Sequence, residues 1–501
     1  MIAAHRQIAC LNRTPNTRNH ERGKECQLGR SFSRFRVFVI SSYLAATAIL
    51  SLSAIASQAR AEEIGRYRLA TFSADVTIPI GHACMGGGVA PAREIVDPLF
   101  ARGVVLLGPA RPLVIVAVDW CEIRNDAYDR WRQVLAEAAS TVPPRVMLTS
   151  VHQHDAPVAD LTAQKLLDEQ GLKNSLCDPK FHEEAVQRVA KALRESLSSA
   201  RPVTHMGTGQ ARVEGVASNR RVVGADGRPG WPRNSATTDP AVRAAPEGTI
   251  DPYLKTLSFW DGDRPVAAIH CYAVHPMSYY GRGGVSADFV GMARTKRQKD
   301  NPAIFQIYMS GCSGDVVAGK FNDGAPENRP VLADKIYRGM VEAWRATKRH
   351  PITSVNFDVV PLSLPPRATG EFTVENLRKR LADPAERTFG RNLAAMGLSW
   401  HARVAAGKPI DVPVLDLGPA QLVLLPAESF VEYQLIAQRL RPDSFVMVAG
   451  YSECAPGYIP TDESYREGFA NGQEWCWVSQ GAEKAMRDAL ARALSRSATE
   501  N

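Results

Sequence analysis

Arg145–Pro157 reads RVMLTSVHQHDAP, an apolar run with β-branched residues that ends in two histidines one residue apart. Such a run predicts a buried strand. In an extended strand residues i and i+2 share a face, so His152 and His154 are expected to project the same way from its C-terminal end. Two neighbouring imidazoles are costly in a core, because each carries ring nitrogens that must be paired. They become useful beside a metal ion, or between a metal and a reacting group.

Working outward, three further places repeat this design of an apolar strand delivering a polar residue. Pro265–Val274 ends at His275, Gln421–Leu425 is followed by Glu428, and Ser444–Ala449 leads through a polar loop to Tyr458. Open α/β sheets place their sites at strand C-terminal ends. Two histidine nitrogens and a carboxylate form the ligand set of a hydrolytic zinc that keeps a position for water. Ser310 and Ser313 lie in Gly-rich sequence, yet neither forms GxSxG, which argues against a serine hydrolase.

Around these points the periodicity alternates. Strands are expected at Gly103–Leu107, Leu113–Val118, Ala303–Met309 and Val355–Leu364, with a hairpin of Tyr253–Trp260 and Pro265–Val274. Helices are expected at Asp126–Ala139, Lys180–Ser199, Pro330–Lys348, Thr373–Leu381, Arg391–Ala406 and Gly481–Leu494. Glu428 is expected to begin a helix with Phe430, Tyr433, Ala437 and Leu440 inward. Gly207–Thr249 shows no lasting periodicity and reads as a functional cover or a disordered excursion. No internal repeat is visible. The pattern implies an α/β fold, a mixed β-sheet core flanked by helices, in one large catalytic domain over residues 62–501 with the site at strand C-terminal ends.

At 501 residues, 45% hydrophobic and 22% charged, the chain is globular in composition. Its net charge of +8 suggests nucleic acid or anionic lipid, but the charge is local: residues 1–61 hold nine Lys/Arg against two Glu. The remainder is nearly neutral, so no nucleic-acid partner is expected. The basic segment, the apolar run Val37–Ala56 and Ala59-Arg60-Ala61 read as an export leader over residues 1–61, with a retained N-terminal membrane anchor as the alternative. A periplasmic or secreted protein follows. Beyond the leader stand seven cysteines without a CxxC pair, which argues against a thiolate zinc cluster. In an oxidising compartment some would pair, with Cys454–Cys476 a local bridge, and an odd number leaves one free.

Several segments resemble, in order, the neutral (alkaline, non-lysosomal) ceramidases. VMLTSVHQHDAP is similar to that family's ATHTHSGP element, and Ala217-Ser218-Asn219-Arg220 to its INRS segment. Ile250–Leu257 through AAIHCYAVHPMS, Ser286-Ala287-Asp288, Ser313-Gly314-Asp315-Val316 and Leu425–Phe430 follow its later motifs. Gly457–Gly468 resembles the stretch YITTxEEYxxQRYEG, and Ala74–Thr77 with Met85-Gly86 the family's opening. The likeness covers the family's N-terminal catalytic domain and leaves out its C-terminal immunoglobulin-like domain.

What the resemblance implies is specific. Zn²⁺ would be held by His152, His275, Glu428 and Tyr458. His154 would polarise or protonate the reacting group, Arg220 would contact substrate, and Asp315 would stand behind the ligands. The implied reaction is hydrolysis of a linear amide in a lipid-like substrate by metal-activated water, with His154 and Tyr458 stabilising the oxyanion or moving a proton. A lipid-like substrate brings peripheral contact with a membrane surface, and nothing calls for an obligate protein partner. Two departures bear on the substrate. Val317 replaces the family's serine, and Asp155–Asp160 replaces its small SGPGG run, leaving Asp155 able to contact substrate or orient His154. Hydrolysis of another amide or ester, or a non-catalytic periplasmic binding protein with a vestigial metal site, are the alternatives.

Overall fold

A computed structural model describes residues 67–495, so the leader at 1–61 lies outside the described residues. The chain divides into two units, Met1–Ala61 and Glu62–Asn501, and the described residues belong to the second. Among the described residues no helix is long and apolar enough to cross a membrane.

Three mixed sheets carry the architecture. The first contains β1 (Tyr67–Asp75), β2 (Phe100–Leu107), β3 (Leu113–Val118), β4 (Val146–Ser150) and β5 (Arg201–Val203), in the order β4-β3-β2-β1-β5. Helix α1 (Asn125–Ala138) crosses from β3 to β4, and α2 (Pro179–Ser196) precedes β5. The second contains β6 (His205–Arg212), β7 (Tyr253–Asp261), β8 (Arg264–Tyr272), β9 (Phe305–Ser310) and β10 (Lys348–Pro351), in the order β9-β8-β7-β6-β10. Here α3 (Asp288–Asp300) crosses from β8 to β9, and α4 (Asn328–Arg345) follows. The third has β11 (Asn356–Leu362), then α5 (Thr388–Ala405), then β12 (Ile410–Asp416), β13 (Ala420–Leu424) and β14 (Phe445–Ala449), in the order β11-β12-β13-β14. Helix α6 (Val431–Leu440) joins β13 to β14, and α7 (Ala482–Leu494) is the last helix.

Each sheet thus repeats one connection: three antiparallel strands, a crossover helix, and a fourth strand parallel to the third. The parallel pairs are β3/β4, β8/β9 and β13/β14. The sequence shows no repeat because only the hydrogen-bonded connectivity recurs, not the side chains. A parallel pair ends on one side, so six strand ends deliver their loops together.

Packing follows the two-residue period of the strands. In β3 every residue is buried. Val114, Val116 and Val118 face one core with α1 and α2, while Leu113, Ile115 and Ala117 face a second core shared with β7, β8 and β9. Burying each such side chain contributes about 1.5–3 kcal/mol. Asp178 caps α2 by accepting from Lys180 N and Phe181 N, with Pro179 at the first helical position.

Three expectations change, and one left open between two readings is narrowed. Among the described residues the seven cysteines are all buried and free, with no Cys454–Cys476 bridge. Cys454 Sγ faces Tyr451 O and Ser452 O, whereas Cys476 Sγ faces Tyr458 O and Val478 O. Glu428 does not begin a helix: Glu428–Ser429 is a short strand, and α6 starts at Val431. Leu440 is exposed rather than inward. The span 207–249 is ordered, and its first residues complete β6. Its anchor is the fully buried Arg233, which donates to the carbonyls of Asn219, Val242, Ala245 and Pro246. Replacing Arg233 by Ala strands four carbonyls, each worth about 1 kcal/mol as a hydrogen bond. Limited proteolysis of that variant is expected to cut within 234–247 while the metal content of the protein is unchanged.

Candidate metal centre

Three strand ends from three sheets meet at one point. His152 follows β4, His275 follows β8, and Glu428 follows β13. His152 Nε2 lies 3.2 Å from His275 Nε2. Glu428 Oε2 is 2.9 Å from His275 Nε2 and 3.5 Å from His152 Nε2. All three side chains are buried.

The two histidines are oriented from behind. His152 Nδ1 donates to Cys121 O at 2.8 Å, and His275 Nδ1 donates to Ser313 O at 2.5 Å. A carbonyl only accepts, so both protons sit on Nδ1 and both Nε2 atoms offer lone pairs to the same point. Glu428 Oε2 is buried there without a well-directed hydrogen bond. Three electron-rich atoms crowded together require a cation. Tetrahedral zinc with bonds of about 2.0–2.1 Å to nitrogen holds its ligand atoms roughly 3.3 Å apart, so this donor set fits the metal.

Without a metal, the cluster holds a proton. Burial would raise the Glu428 carboxyl, but the two imidazoles outweigh it and hold Glu428 far below the usual carboxylate range. Burial would lower His152, but Glu428 and then Glu122 outweigh it and raise it. Burial pushes His275 down to about 4.

Tyr458 is brought to the same place by a local device. Glu428–Ser429 pairs in parallel with Tyr458–Ile459, and Glu428 and Tyr458 are direct partners in that register. The Tyr458 phenol lies against the Glu428 carboxylate, and Arg220 Nη2 donates to its oxygen at 3.3 Å. Arg220 is itself aimed by its Nε bond to Gly314 O at 3.1 Å and by its backbone N bonding Asp315 O.

His154 stands beside the three, its ring 5.2 Å from that of His152 and nearly perpendicular to it. The reason is not the extended strand expected from the sequence. Strand β4 stops at Ser150, and His152 adopts a left-handed backbone with φ +75°. Tyr280 packs on His154 at 4.8 Å, and its buried Nδ1 has no partner. Burial, then His152 and His275, hold His154 far below its normal value, so it is a neutral imidazole. Left-handed φ also occurs at Ala427 and Tyr451 in the adjoining loops, and strained backbone of this kind persists where surrounding structure fixes it.

Asp315 and Asp155 support loops. Asp315 accepts from Asn219 Nδ2 and Val431 N, both at 2.8 Å, and burial pushes it up to about 6. Asp155 accepts from Gly281 N at 2.8 Å and faces Arg329 at 3.8 Å. Its carboxylate is therefore committed to the Gly281 turn, not to His154. Val317 is fully buried and pairs with Ser218.

Tyr451 was missed by the sequence reading. It is stacked on His152 at 4.2 Å and follows β14 by two residues, the same placement that singled out the ligands. Cys121 was missed too, and it lines the cavity. Burial raises its thiol far above normal, so it stays protonated.

His152, His154, Glu428 and Tyr458 open on a cavity of about 240 Å³ also lined by Met85, Phe389, Leu393, Gln473, Glu474 and Trp475. A larger cavity of about 690 Å³ lies beneath residues 219–249, with Trp231 and Phe430 in its lining. The long loop roofs this second cavity.

No protein-family model matches the sequence, and no curated protein matches it. Solved structures do. Neutral ceramidase from Pseudomonas aeruginosa is similar with a TM-score of 0.62 and 17% identity, over 86% of this chain and 74% of that one. A ceramidase complexed with C2 is similar with a TM-score of 0.62 and 16% identity, over 86% of this chain and 75% of that one. The chain has the α/β fold of the ceramidases.

Proposed function

We propose that this chain is a zinc-dependent hydrolase that cleaves the amide bond of an N-acylated, lipid-like molecule. The observation that carries the reading is the convergence of His152 Nε2, His275 Nε2 and Glu428 Oε2 beside a neutral His154 and a phenol. The ceramidase fold and the apolar wall of Met85, Phe389 and Leu393 support an acyl chain as the occupant.

Zinc held by His152, His275, Glu428 and Tyr458 would supply hydroxide at neutral pH and polarise the scissile carbonyl. His154, neutral and with an unpaired ring nitrogen, is suited to accept a proton from water and return it to the leaving amine. Arg220 and Tyr458 place a cation and a hydroxyl where negative charge develops on the carbonyl oxygen. Arg220 also suits the carboxylate of the product acid. The export leader read at 1–61 assigns the enzyme to the periplasm or the exterior, at a membrane surface where such substrates lie.

One observation favours a neighbouring reading, in which the substrate is an ester or an amide other than ceramide. The buried Val317 stands where the resembling family has serine, so no hydroxyl is offered there. Hydrolysis with water as the nucleophile needs no side-chain hydroxyl at that position.

Purified protein should release acid from a short-chain fluorescent ceramide or, on the second reading, from simple N-acyl amines or esters. Chelation should abolish turnover and zinc restore it. His154→Gln should keep its zinc and lose about 10²–10⁴-fold in kcat. Turnover indifferent to chelator overturns the metal reading, and substrate binding with zinc bound but no turnover overturns the catalytic one.

A further inference from the structure

We propose that Tyr451 is a positioning residue that holds the three metal-binding segments in register. The proposal rests on the metal-hydrolase reading and extends it to a residue with no bond to the metal position. Its side chain meets both histidines. The ring lies on the His152 imidazole, 4.2 Å between centroids and 20° between planes, and meets His275 edge-on at 6.0 Å. Its hydroxyl pairs with Ser313 Oγ at 2.7 Å and stands 3.4 Å from His275 Nδ1. Ser313 Oγ donates to Gly311 O, so the phenol is the donor to Ser313. The same Ser313 supplies the carbonyl that orients His275.

The backbone of Tyr451 completes the set. Its N–H donates to Ala427 O, next to Glu428, and its carbonyl accepts from Ser150 N, at the end of the strand before His152. One residue thereby touches the loop of each ligand. It does so in a left-handed conformation, φ +60°, which non-glycine residues rarely adopt. Ordinary core packing needs neither that backbone nor a directed hydroxyl. The physical role is orientation: a ring stacked on the face of His152 adds to its Nδ1 bond in resisting rotation about the Cβ–Cγ axis. Partners of metal ligands that act in this way are worth about 10–100-fold in metal affinity.

The test compares zinc affinity, by competition with a chromophoric chelator, and the visible spectrum of the cobalt-substituted protein. The melting temperature of the metal-free protein serves as the control for folding. Tyr451→Phe keeps the stack and loses the hydroxyl, and about a tenfold weaker zinc affinity is expected with little change in melting temperature. Tyr451→Leu loses both, and about a hundredfold loss with an altered cobalt spectrum is expected. Ser313→Ala should match Tyr451→Phe, and the double variant should be no worse than either, because both break one link. If Tyr451→Leu does not fold, the Tyr451→Phe and Ser313→Ala pair decides. Wild-type zinc affinity and cobalt spectrum in Tyr451→Phe and Ser313→Ala overturn the proposal. A wild-type protein that binds no zinc sinks the hydrolase reading instead.

Discussion

His275→Ala is expected to leave the purified protein with little zinc and no measurable hydrolysis. Its Nε2 is the ligand atom nearest to both others, 3.2 Å from His152 and 2.9 Å from Glu428. Four-ligand zinc sites in small peptides bind with about 10–16 kcal/mol, so one ligand carries roughly 3–4 kcal/mol, a loss of two to three orders of magnitude in affinity. The remaining His152 and Glu428 then close on one another as an ion pair. Metal analysis by atomic absorption is the measurement, and wild-type zinc content in the variant would show that the metal lies elsewhere.

The same cluster predicts how zinc binding depends on pH in the intact protein. His152 is raised in the metal-free fold, so its proton must leave before its Nε2 can bind a cation. Zinc affinity should therefore climb with pH through and above about 6.5, the unperturbed histidine value, and flatten once His152 is neutral. The stability of the metal-free protein has the opposite sign over that range. The charged His152 contributes fully below about 6.5 and its contribution is lost as pH rises through the higher folded value. Glu428, being depressed, contributes above about 4.3 and loses its contribution as pH falls through its lower folded value. Metal-free protein is thus expected to be most stable, as far as this pair is concerned, near pH 5–6.

The second large effect concerns folding. Arg294 of α3 donates to both oxygens of Asp119, at 2.6 and 2.8 Å, with both side chains almost fully buried. Asp119 follows β3 in the first sheet, whereas α3 belongs to the second sheet's crossover. Arg294→Met leaves Asp119 with the backbone N–H of Phe100 as its remaining donor to the carboxylate. Removing one member of a buried pair costs about 3–5 kcal/mol, because the other charge stays buried unpaired. Urea unfolding should show a free energy of unfolding lowered by that amount, read as a lower midpoint at an unchanged m-value. Asp119→Asn with Arg294→Met should recover part of the loss, and equal stability of all three proteins would refute the account.

Much of the candidate centre was legible before any coordinates. The strands ending near His152, His275 and Glu428 announce themselves by apolar runs, since a strand buried on both faces has no room for polar residues. The helices Asn125–Ala138 and Pro179–Ser196 follow from apolar residues at 3.6-residue spacing. What misled was local geometry. His152 and His154 do converge, but through a left-handed turn, and nothing in a histidine advertises φ +75°. Glu428 reads as a helix start because an apolar 3.6-period follows it. It is a strand residue because Tyr458, thirty residues on, offers a ladder partner. Tyr451 escaped notice because an aromatic after an apolar strand looks like more core.

Strand periodicity and strand ends are short-range properties, so the amino-acid order alone was enough to single out His152, His275 and Glu428 as candidates standing just past strands. That the three stand 2.9–3.5 Å apart follows from long-range packing alone. That distance depends on three sheets repeating one connection and ending on the same side. It also depends on loops held in left-handed backbone by contacts from remote segments. Side chains 123 or more residues apart, such as His152 and His275, leave no periodic trace of their meeting in a chain, because they share geometry and not composition.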